Sequence, residues 1–130
     1  MQHTFIKPQE LRNSWEYIKT GLAKILKKSP ENWIPEDIYT DCYNGNSHIV
    51  LFTKDSKALG FAVLQKRNTD MHIWCAYSHV NNQMQEAWKH LKQIARESKA
   101  DRITFDSWRK GWEKHSKKLG MKPRTYYMEI

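Results

Sequence analysis

The last thirty residues, Asp101–Ile130, read DRITFDSWRKGWEKHSKKLGMKPRTYYMEI. Ile103 and Phe105 alternate with polar neighbours, and this two-residue period predicts a strand with one buried face. Aromatic and apolar side chains then recur with the period of a helix, at Trp108, Trp112, His115 and Leu119. Gly120 suits the left-handed cap that ends a helix, and Thr125–Ile130 alternates again. The stretch therefore predicts a strand, a helix and a second strand.

The rest of the chain predicts helices first and strands afterwards. The predicted elements are a short strand at Gln2–Lys7, a helix from Pro8 to residue 28, a helix that begins at Pro35 and ends at Asn44-Gly45, strands at Ile49–Phe52, Ala58–Gln65 and Met71–Tyr77, and a third helix at Asn82–Ser98. This order indicates an α/β fold with a mixed central sheet flanked by helices. A chain of 130 residues is long enough for one such domain, and we predict a single domain over residues 1–130.

The composition argues against two classes of protein. With 39% hydrophobic and 12% aromatic residues, the chain carries too many packing side chains for a disordered protein. No apolar run approaches the length of about 18 residues that spans a membrane, and the first residues lack the pattern of a signal peptide. Cys42 and Cys75 are far apart, without the spacing of a metal site or of a disulfide framework. We therefore expect a cytoplasmic protein with reduced thiols, no membrane span and no metal.

The formal net charge of +8 is concentrated near the end of the chain. Seven lysines and arginines lie between Ser107 and Arg124 against Glu113 alone, which gives this segment a charge of +6. A solvated helix face explains the pattern, and so does a site for a phosphate-bearing ligand or nucleic acid. No aromatic side chain is interleaved on that face for base stacking, so we favour the solvated face over a nucleic-acid partner.

Part of the sequence resembles the GNAT superfamily of acyl-CoA N-acyltransferases. The resemblance rests on the order of the elements and on two runs, Ile94–Phe105 and Lys117–Met121. The second run matches the lysine, glycine and bulky apolar positions of a signature at the end of the family's last helix, at Lys118, Gly120 and Met121. The short chain, its tryptophans and the segment Asn32–Tyr39 are also similar to small GNAT-like proteins encoded by bacteriophages.

The resemblance implies an acetyl-CoA site in the cleft where the strand Met71–Tyr77 diverges from the strand Arg102–Ser107. Backbone groups of the first strand would bind the pantetheine arm of the cofactor near Ile73, Cys75 and Tyr77. The loop that opens the next helix would hold the pyrophosphate on the backbone N–H groups of Asn81, Asn82, Gln83 and Met84. Ser107, at the end of the second strand, and Trp112, in the helix that follows it, would complete the cofactor site.

Three positions in the implied site depart from the family pattern. Asn82 and Met84 stand where the family usually has glycines, and the methionine adds bulk where a phosphate should approach closely. Ser116 occupies the position of the tyrosine that commonly protonates the departing CoA thiolate, and a serine hydroxyl is a much weaker acid. Tyr77 and His79 lie near the implied cleft and could serve as acid and base, although a strand-end aromatic and a loop histidine explain them equally well.

Two functions are open at this point. The first is an acetyl-CoA-dependent N-acetyltransferase with a degenerate cofactor loop, whose partners are an acyl-CoA and an amine or protein substrate. The second is a GNAT-fold protein without catalysis that serves in binding or assembly, in a phage particle or in the cytoplasm of an infected host. The altered loop and Ser116 favour the second function, whereas the retained fold signature keeps the first open.

Overall fold

The computed structural model describes residues 1–28, 31–80 and 83–106, which form five strands and three α-helices. The elements in chain order are β1 (Gln2–Ile6), a short 3₁₀ helix (Pro8–Glu10), α1 (Leu11–Lys28), α2 (Pro35–Tyr43), β2 (Ser47–Lys54), β3 (Lys57–Arg67), β4 (Asp70–Ser78), α3 (Met84–Glu97) and β5 (Arg102–Phe105). Every element predicted before residue 101 is present, with ends that shift by only a few residues. Several predictions lie outside the described residues, namely the helix over residues 108–119, the final strand, and the site residues Asn81, Asn82, Ser107, Trp112 and Ser116.

The first two α-helices form where the sequence supplies an apolar face and suitable ends. In α1, Ile18 and Leu22 are fully buried, and two lysines occupy the last turn, at the negative end of the helix dipole. α2 begins at Pro35, whose missing N–H group needs no partner in a first turn. The Asp37 carboxylate accepts a hydrogen bond of 2.9 Å from the Ile34 N–H group and so closes the first turn.

The five strands form one sheet in the order β1-β2-β3-β4-β5. The first four are antiparallel neighbours, while β5 pairs parallel to β4 after the crossover through α3. Tight turns join β2 to β3 and β3 to β4. In these turns Asp55, Ser56 and Asn68 have φ angles of 51°, 65° and 56°, which suit the twist of short hairpins. The predicted α/β class, with a mixed sheet and flanking helices, is confirmed.

The core consists of two layers, one on each face of the sheet. α1 and α2 cover one layer, whose buried residues are Leu11, Ile18, Leu22, Trp33, Ile38, Cys42, Ile49, Phe61, Val63 and Cys75. α3 covers the other layer, whose buried residues are Val50, Phe52, Ala62, Leu64, Met71, Ile73, Trp88, Leu91, Ile94 and Ala95. Among the described residues, no helix combines the length and the apolar character that crossing a membrane requires.

Two side-chain environments differ from those that the sequence suggests. The helical period places Met84 on the apolar face of α3 with Trp88, but Met84 is 47% exposed because it is the first residue of the helix. Trp33 lies in a proline-flanked connector, where we expect a plug at the sheet edge or a contact with a partner. It is instead buried in the core, edge-on to Trp74 with 6.2 Å between the ring centroids.

Candidate functional site

An extra residue in β4 divides this strand into two halves whose side chains alternate differently. Two consecutive residues of β3, 63 and 64, lie opposite Cys75 and Ile73, so Trp74 is the bulged residue between them. Ile73 packs under α3, whereas Cys75 packs under α1 and α2, because the bulge shifts the alternation by one position. The second half of β4 therefore directs Tyr77 toward α1.

β4 and β5 are paired along only part of β4. The parallel pairing uses the first four residues of β4 and all of β5, and β4 then continues to Ser78. Beyond Ile73, no strand among the described residues pairs with the edge of β4 that faces β5. Such an edge offers N–H and C=O groups to an extended ligand. We call residues 74–78 the open segment; Cys75 and Tyr77 lie on it, and Ile73 lies where the pairing ends.

The side chain of Tyr77 belongs to a cluster with Tyr17 and Lys24 of α1 and with His79, which follows β4. We call these four residues the tyrosine-histidine cluster. The Tyr17 hydroxyl lies 3.2 Å from Nδ1 of His79, and the ring centroids of Tyr77 and His79 are 6.1 Å apart. Nζ of Lys24 donates to the Tyr77 hydroxyl at 3.5 Å. The structure thus brings together Tyr77 and His79, and it adds Tyr17 and Lys24, which the sequence analysis missed.

α1 lies close to this cluster because Gly21 has no side chain. A Cβ atom at Gly21 would lie 2.6 Å from Cε1 of Phe61 and 2.8 Å from Cδ2 of Tyr77, well inside the usual carbon–carbon contact distance. A glycine inside a helix costs about 1 kcal/mol relative to alanine, so it often marks a close approach. Gly21 is therefore the sequence signal that could have located α1 over the site.

Tyr17 is a neutral hydroxyl group at physiological pH. Burial, and secondarily the neighbouring Tyr77, raise the pKa of Tyr17 to about 12. A neutral hydroxyl can donate a hydrogen bond to Nδ1 of His79 or accept one from it. When Nδ1–H of His79 donates to the Tyr17 oxygen, Nε2 of this exposed imidazole keeps its lone pair.

The start of α3 is the other element that the sequence analysis assigns to the cofactor. Gln83 precedes the helix without a side-chain hydrogen bond to it, so the first N–H groups receive no cap from Gln83. Such groups favour anions. Glu86 in the first turn would oppose an anion, but its carboxylate lies 3.3 Å from the Met1 amino group and is partly neutralised. The exposed side chain of Met84 stands at the first position of the helix.

A shallow depression lies on α1 next to the tyrosine-histidine cluster. It has a volume of about 440 Å³ and is lined by Glu16, Lys19, Thr20, Ala23, Lys24 and Lys27. Lys24 belongs both to the depression and to the cluster. Its lining carries three ammonium groups and the carboxylate of Glu16, and the Glu36 carboxylate lies 3.3 Å from Nζ of Lys19. Lys24 and Lys27 therefore leave the depression with a positive charge, which suits an anionic group of a ligand.

The two cysteines do not supply a nucleophile. Both thiols are buried. Burial, and secondarily the charge of Asp41, raise the pKa of Cys42 to about 12, and burial also raises the pKa of Cys75. Because the thiol of Cys75 faces the core, this residue offers only its backbone to a ligand on the open segment.

A polar network holds the paired parts of β4 and β5 together. The buried carboxylate of Asp70 accepts two hydrogen bonds of 3.0 Å from the guanidinium group of Arg102. Next to this pair, Nδ1 of His72 lies 2.7 Å from the Thr104 hydroxyl, and Nε2 lies 3.8 Å from the Asp106 carboxylate. Bidentate charged pairs are geometrically specific, so the network fixes the register of the two strands up to the point where they part.

Comparisons with known proteins bear on the fold. No family model matches the sequence, and no curated protein matches it. A crystal structure described as a probable acetyltransferase superposes with a TM-score of 0.73 at 17% identity, over 100% of this chain and 98% of the other.

Two further solved structures match at a similar level. The ribosomal-protein-alanine N-acetyltransferase from Brucella melitensis biovar Abortus 2308 has a TM-score of 0.69 at 8% identity, over 100% of this chain and 98% of that one. An aminoglycoside acetyltransferase from an uncultured soil metagenomic sample has a TM-score of 0.64 at 12% identity, over 99% of this chain and 96% of that one. Structural agreement over nearly whole chains at such low identity shows the fold, and this fold is that of the GNAT acetyltransferases.

Proposed function

We propose that the protein is an acetyl-CoA-dependent N-acetyltransferase that binds its cofactor along the open segment of β4. The observation that carries the proposal is the pairing of β4 with β5, which ends at Ile73 and is followed by the tyrosine-histidine cluster. An extended pantetheine arm can bond to the open segment as an added strand would. The pyrophosphate would then be held at the start of α3 by backbone N–H groups near Gln83 and Met84.

The cluster can supply both proton transfers of the reaction. The amine nitrogen attacks the thioester carbonyl carbon, so that a C–N bond forms, the C–S bond breaks and CoA leaves as a thiolate. Nε2 of His79 accepts the proton that the amine loses, while Tyr17 holds Nδ1. Tyr77 donates its hydroxyl proton to the thiolate, and the Lys24 ammonium group stabilises the phenolate until water returns the proton. Ser116 is a further predicted participant, outside the described residues.

The acceptor in this proposal is an amine on a small molecule or on a protein. The depression on α1 shares Lys24 with the cluster, so an acceptor that occupied the depression could extend its amine toward Tyr77. An anionic group on the acceptor would be attracted there. We therefore expect amines that carry a carboxylate or a phosphate to be better acceptors than amines that carry only positive charge.

Calorimetry and thermal unfolding with acetyl-CoA test the cofactor site. A ligand that binds only the folded state raises the unfolding temperature, so we expect heat and a positive shift for the parent protein. Met84→Gly should tighten binding, because it removes a side chain from the start of α3. Lys92→Gly places a glycine at an exposed position later in the same helix and is the matched control. Neither heat nor stabilisation with the parent or with Met84→Gly would contradict the proposal and favour a non-catalytic binding or assembly protein.

Release of the free CoA thiol in the presence of amines tests the catalytic assignment. Positioned acids and bases typically contribute about 10²–10⁴-fold to a rate, so His79→Gln and Tyr77→Phe should each lower turnover by at least about a hundredfold. Both variants should still bind acetyl-CoA. His48→Gln replaces an exposed histidine on β2, away from the cluster, and should retain full turnover. Turnover that survives both cluster substitutions would contradict the roles assigned to these residues.

A further inference from the structure

Two histidines meet between β1 and α3, outside the tyrosine-histidine cluster. Nδ1 of His3 lies 2.6 Å from Nδ1 of His90, and the two rings are nearly perpendicular, with centroids 4.8 Å apart. β1 is the strand at the edge of the sheet opposite β5. Phe52 of β2 packs edge-on against His90, with 6.3 Å between the ring centroids. Three elements therefore hold the two imidazoles against each other.

The contact between the two rings shows that one of them presents a lone pair. At 2.6 Å, one Nδ1–H group can donate to the other Nδ1 atom, which must then accept. Glu86 lies one helical turn before His90 on the same face of α3, and its carboxylate pairs with the Met1 amino group at 3.3 Å. A neutral imidazole carries the lone pair that a metal ion requires.

We propose that His3 and His90 bind a divalent transition-metal cation, with Zn²⁺ as the representative, through their two Nδ1 atoms. A tetrahedral zinc ion has N–Zn distances of about 2.0–2.1 Å, which places two ligand nitrogens roughly 3.3 Å apart. The two Nδ1 atoms lie 2.6 Å apart, so admitting the ion requires them to separate by less than about 1 Å and the rings to turn until both lone pairs point at it. His3 lies near the start of an edge strand and is only half-buried, which permits this movement.

The proton balance of this binding step is simple. In the pair, one Nδ1–H donates to the other Nδ1; on binding, the donor ring carries its proton on Nε2 instead, and both rings stay neutral. Water completes the coordination, and the Glu86 carboxylate can reach toward the ion from the adjacent turn. No group of three or more histidine, cysteine, aspartate or glutamate side chains in the described ranges is already arranged around a metal position. The site is therefore open, with two protein nitrogens as its fixed ligands.

The sequence could not indicate this site, and it differs from the expectation of no metal. His3 and His90 are separated by 87 residues, so no ligand spacing is visible along the chain. The chain topology brings them together, because α3 crosses the face of the sheet from β4 and lies over β1 and β2 at this point. A bound ion would link β1 to α3 and would stabilise the folded state by mass action.

Zinc binding by the whole chain, freed of any affinity tag and stripped with a chelator, tests the proposal. Zn²⁺ is the suitable probe because, unlike Cu²⁺, it does not displace backbone amide protons at neutral pH, so its binding reports on side chains. We expect calorimetry to show saturable binding to the parent and thermal unfolding to shift upward by several degrees in excess zinc. His3→Asn and His90→Asn should each weaken binding at least about tenfold, since even indirect partners of metal ligands cost that much.

His48→Asn, which removes an exposed histidine from β2, is the matched control and should bind zinc as the parent does. If a variant fails to fold, the parent alone decides the question, because its histidine ring NMR signals identify the ligands. Zinc-dependent shifts of the His3 and His90 signals at stoichiometric metal support the proposal. Absence of binding to the parent, equal binding to His90→Asn, or shifts confined to His48 or His79 would overturn it.

Discussion

Substituting alanine for Gly21 separates two opposite effects in α1. Alanine favours the helix by about 1 kcal/mol, because glycine loses more backbone entropy on folding. The new Cβ, however, would lie 2.6 Å from Phe61 and 2.8 Å from Tyr77, about 1 Å closer than carbon atoms normally approach. Phe61 is fully buried and cannot move aside freely, so overpacking should cost about 1–3 kcal/mol. We therefore expect Gly21→Ala to lower the free energy of unfolding by about 1 kcal/mol.

Urea unfolding measures this change in the free energy of unfolding. Ala23→Gly is the control that measures the effect of helix propensity alone. Ala23 is exposed two residues further along α1, so its replacement should lower the free energy of unfolding by about 1 kcal/mol through helix propensity. If Gly21→Ala instead stabilises the protein by a similar amount, α1 does not lie on the two rings and the argument fails. A second substitution, Phe61→Leu, makes room for the Cβ. It should therefore cost less in the Gly21→Ala background than in the parent.

Three other properties of the chain are expected from the same structure. Tyr17 has a pKa raised from 10.0 to about 12 in the folded state, so the unfolded chain loses this proton first and stability falls between pH 10 and 12. Unfolding midpoints across that window should fall less steeply for Tyr17→Phe, although Cys42 contributes a slope of the same sign to both proteins. Cys42 and Cys75 should react slowly with a thiol reagent in buffer and rapidly in urea, and equal rates would show that they are not buried. Trp88→Ala should cost roughly 3–5 kcal/mol in urea unfolding, whereas Met84→Ala, at an exposed position, should stay within roughly 0.5 kcal/mol.

The order of the elements could be predicted because each element has a local signal. The period of α1 is visible in side chains three and four residues apart, and the hairpin turns at Asp55-Ser56 and Asn68 stand out as polar breaks between apolar runs. The error at Met84 has a local cause as well. A helical period predicts which residues share a face, but it does not predict where along the helix that face is covered. Met84 lies in the first turn of α3, and its side chain is exposed.

The candidate site was predictable only in part, because most of its geometry comes from contacts distant in sequence. Tyr77 and His79 could be identified from the sequence, since Tyr77 ends a predicted strand and His79 lies in the loop that follows it. Tyr17 and Lys24 were not, because they meet His79 and Tyr77 across 62 and 53 residues of chain. The bulge at Trp74 leaves no local signal either, since an extra residue in a strand is defined by the register of its partner.

The bulge in β4 and the glycine in α1 are two parts of one arrangement. In a strand that alternated regularly, Tyr77 would share a face with Ile73 and would point toward α3, since the two are four residues apart. The insertion of Trp74 turns Tyr77 to the face of α1, where a side chain at position 21 would collide with its ring. Each feature is unfavourable alone, because a bulge leaves one residue unpaired and a glycine weakens a helix. Together they bring the Tyr77 hydroxyl beside Lys24 and His79 at the point where β4 leaves β5, which is where the proposed proton transfers require it.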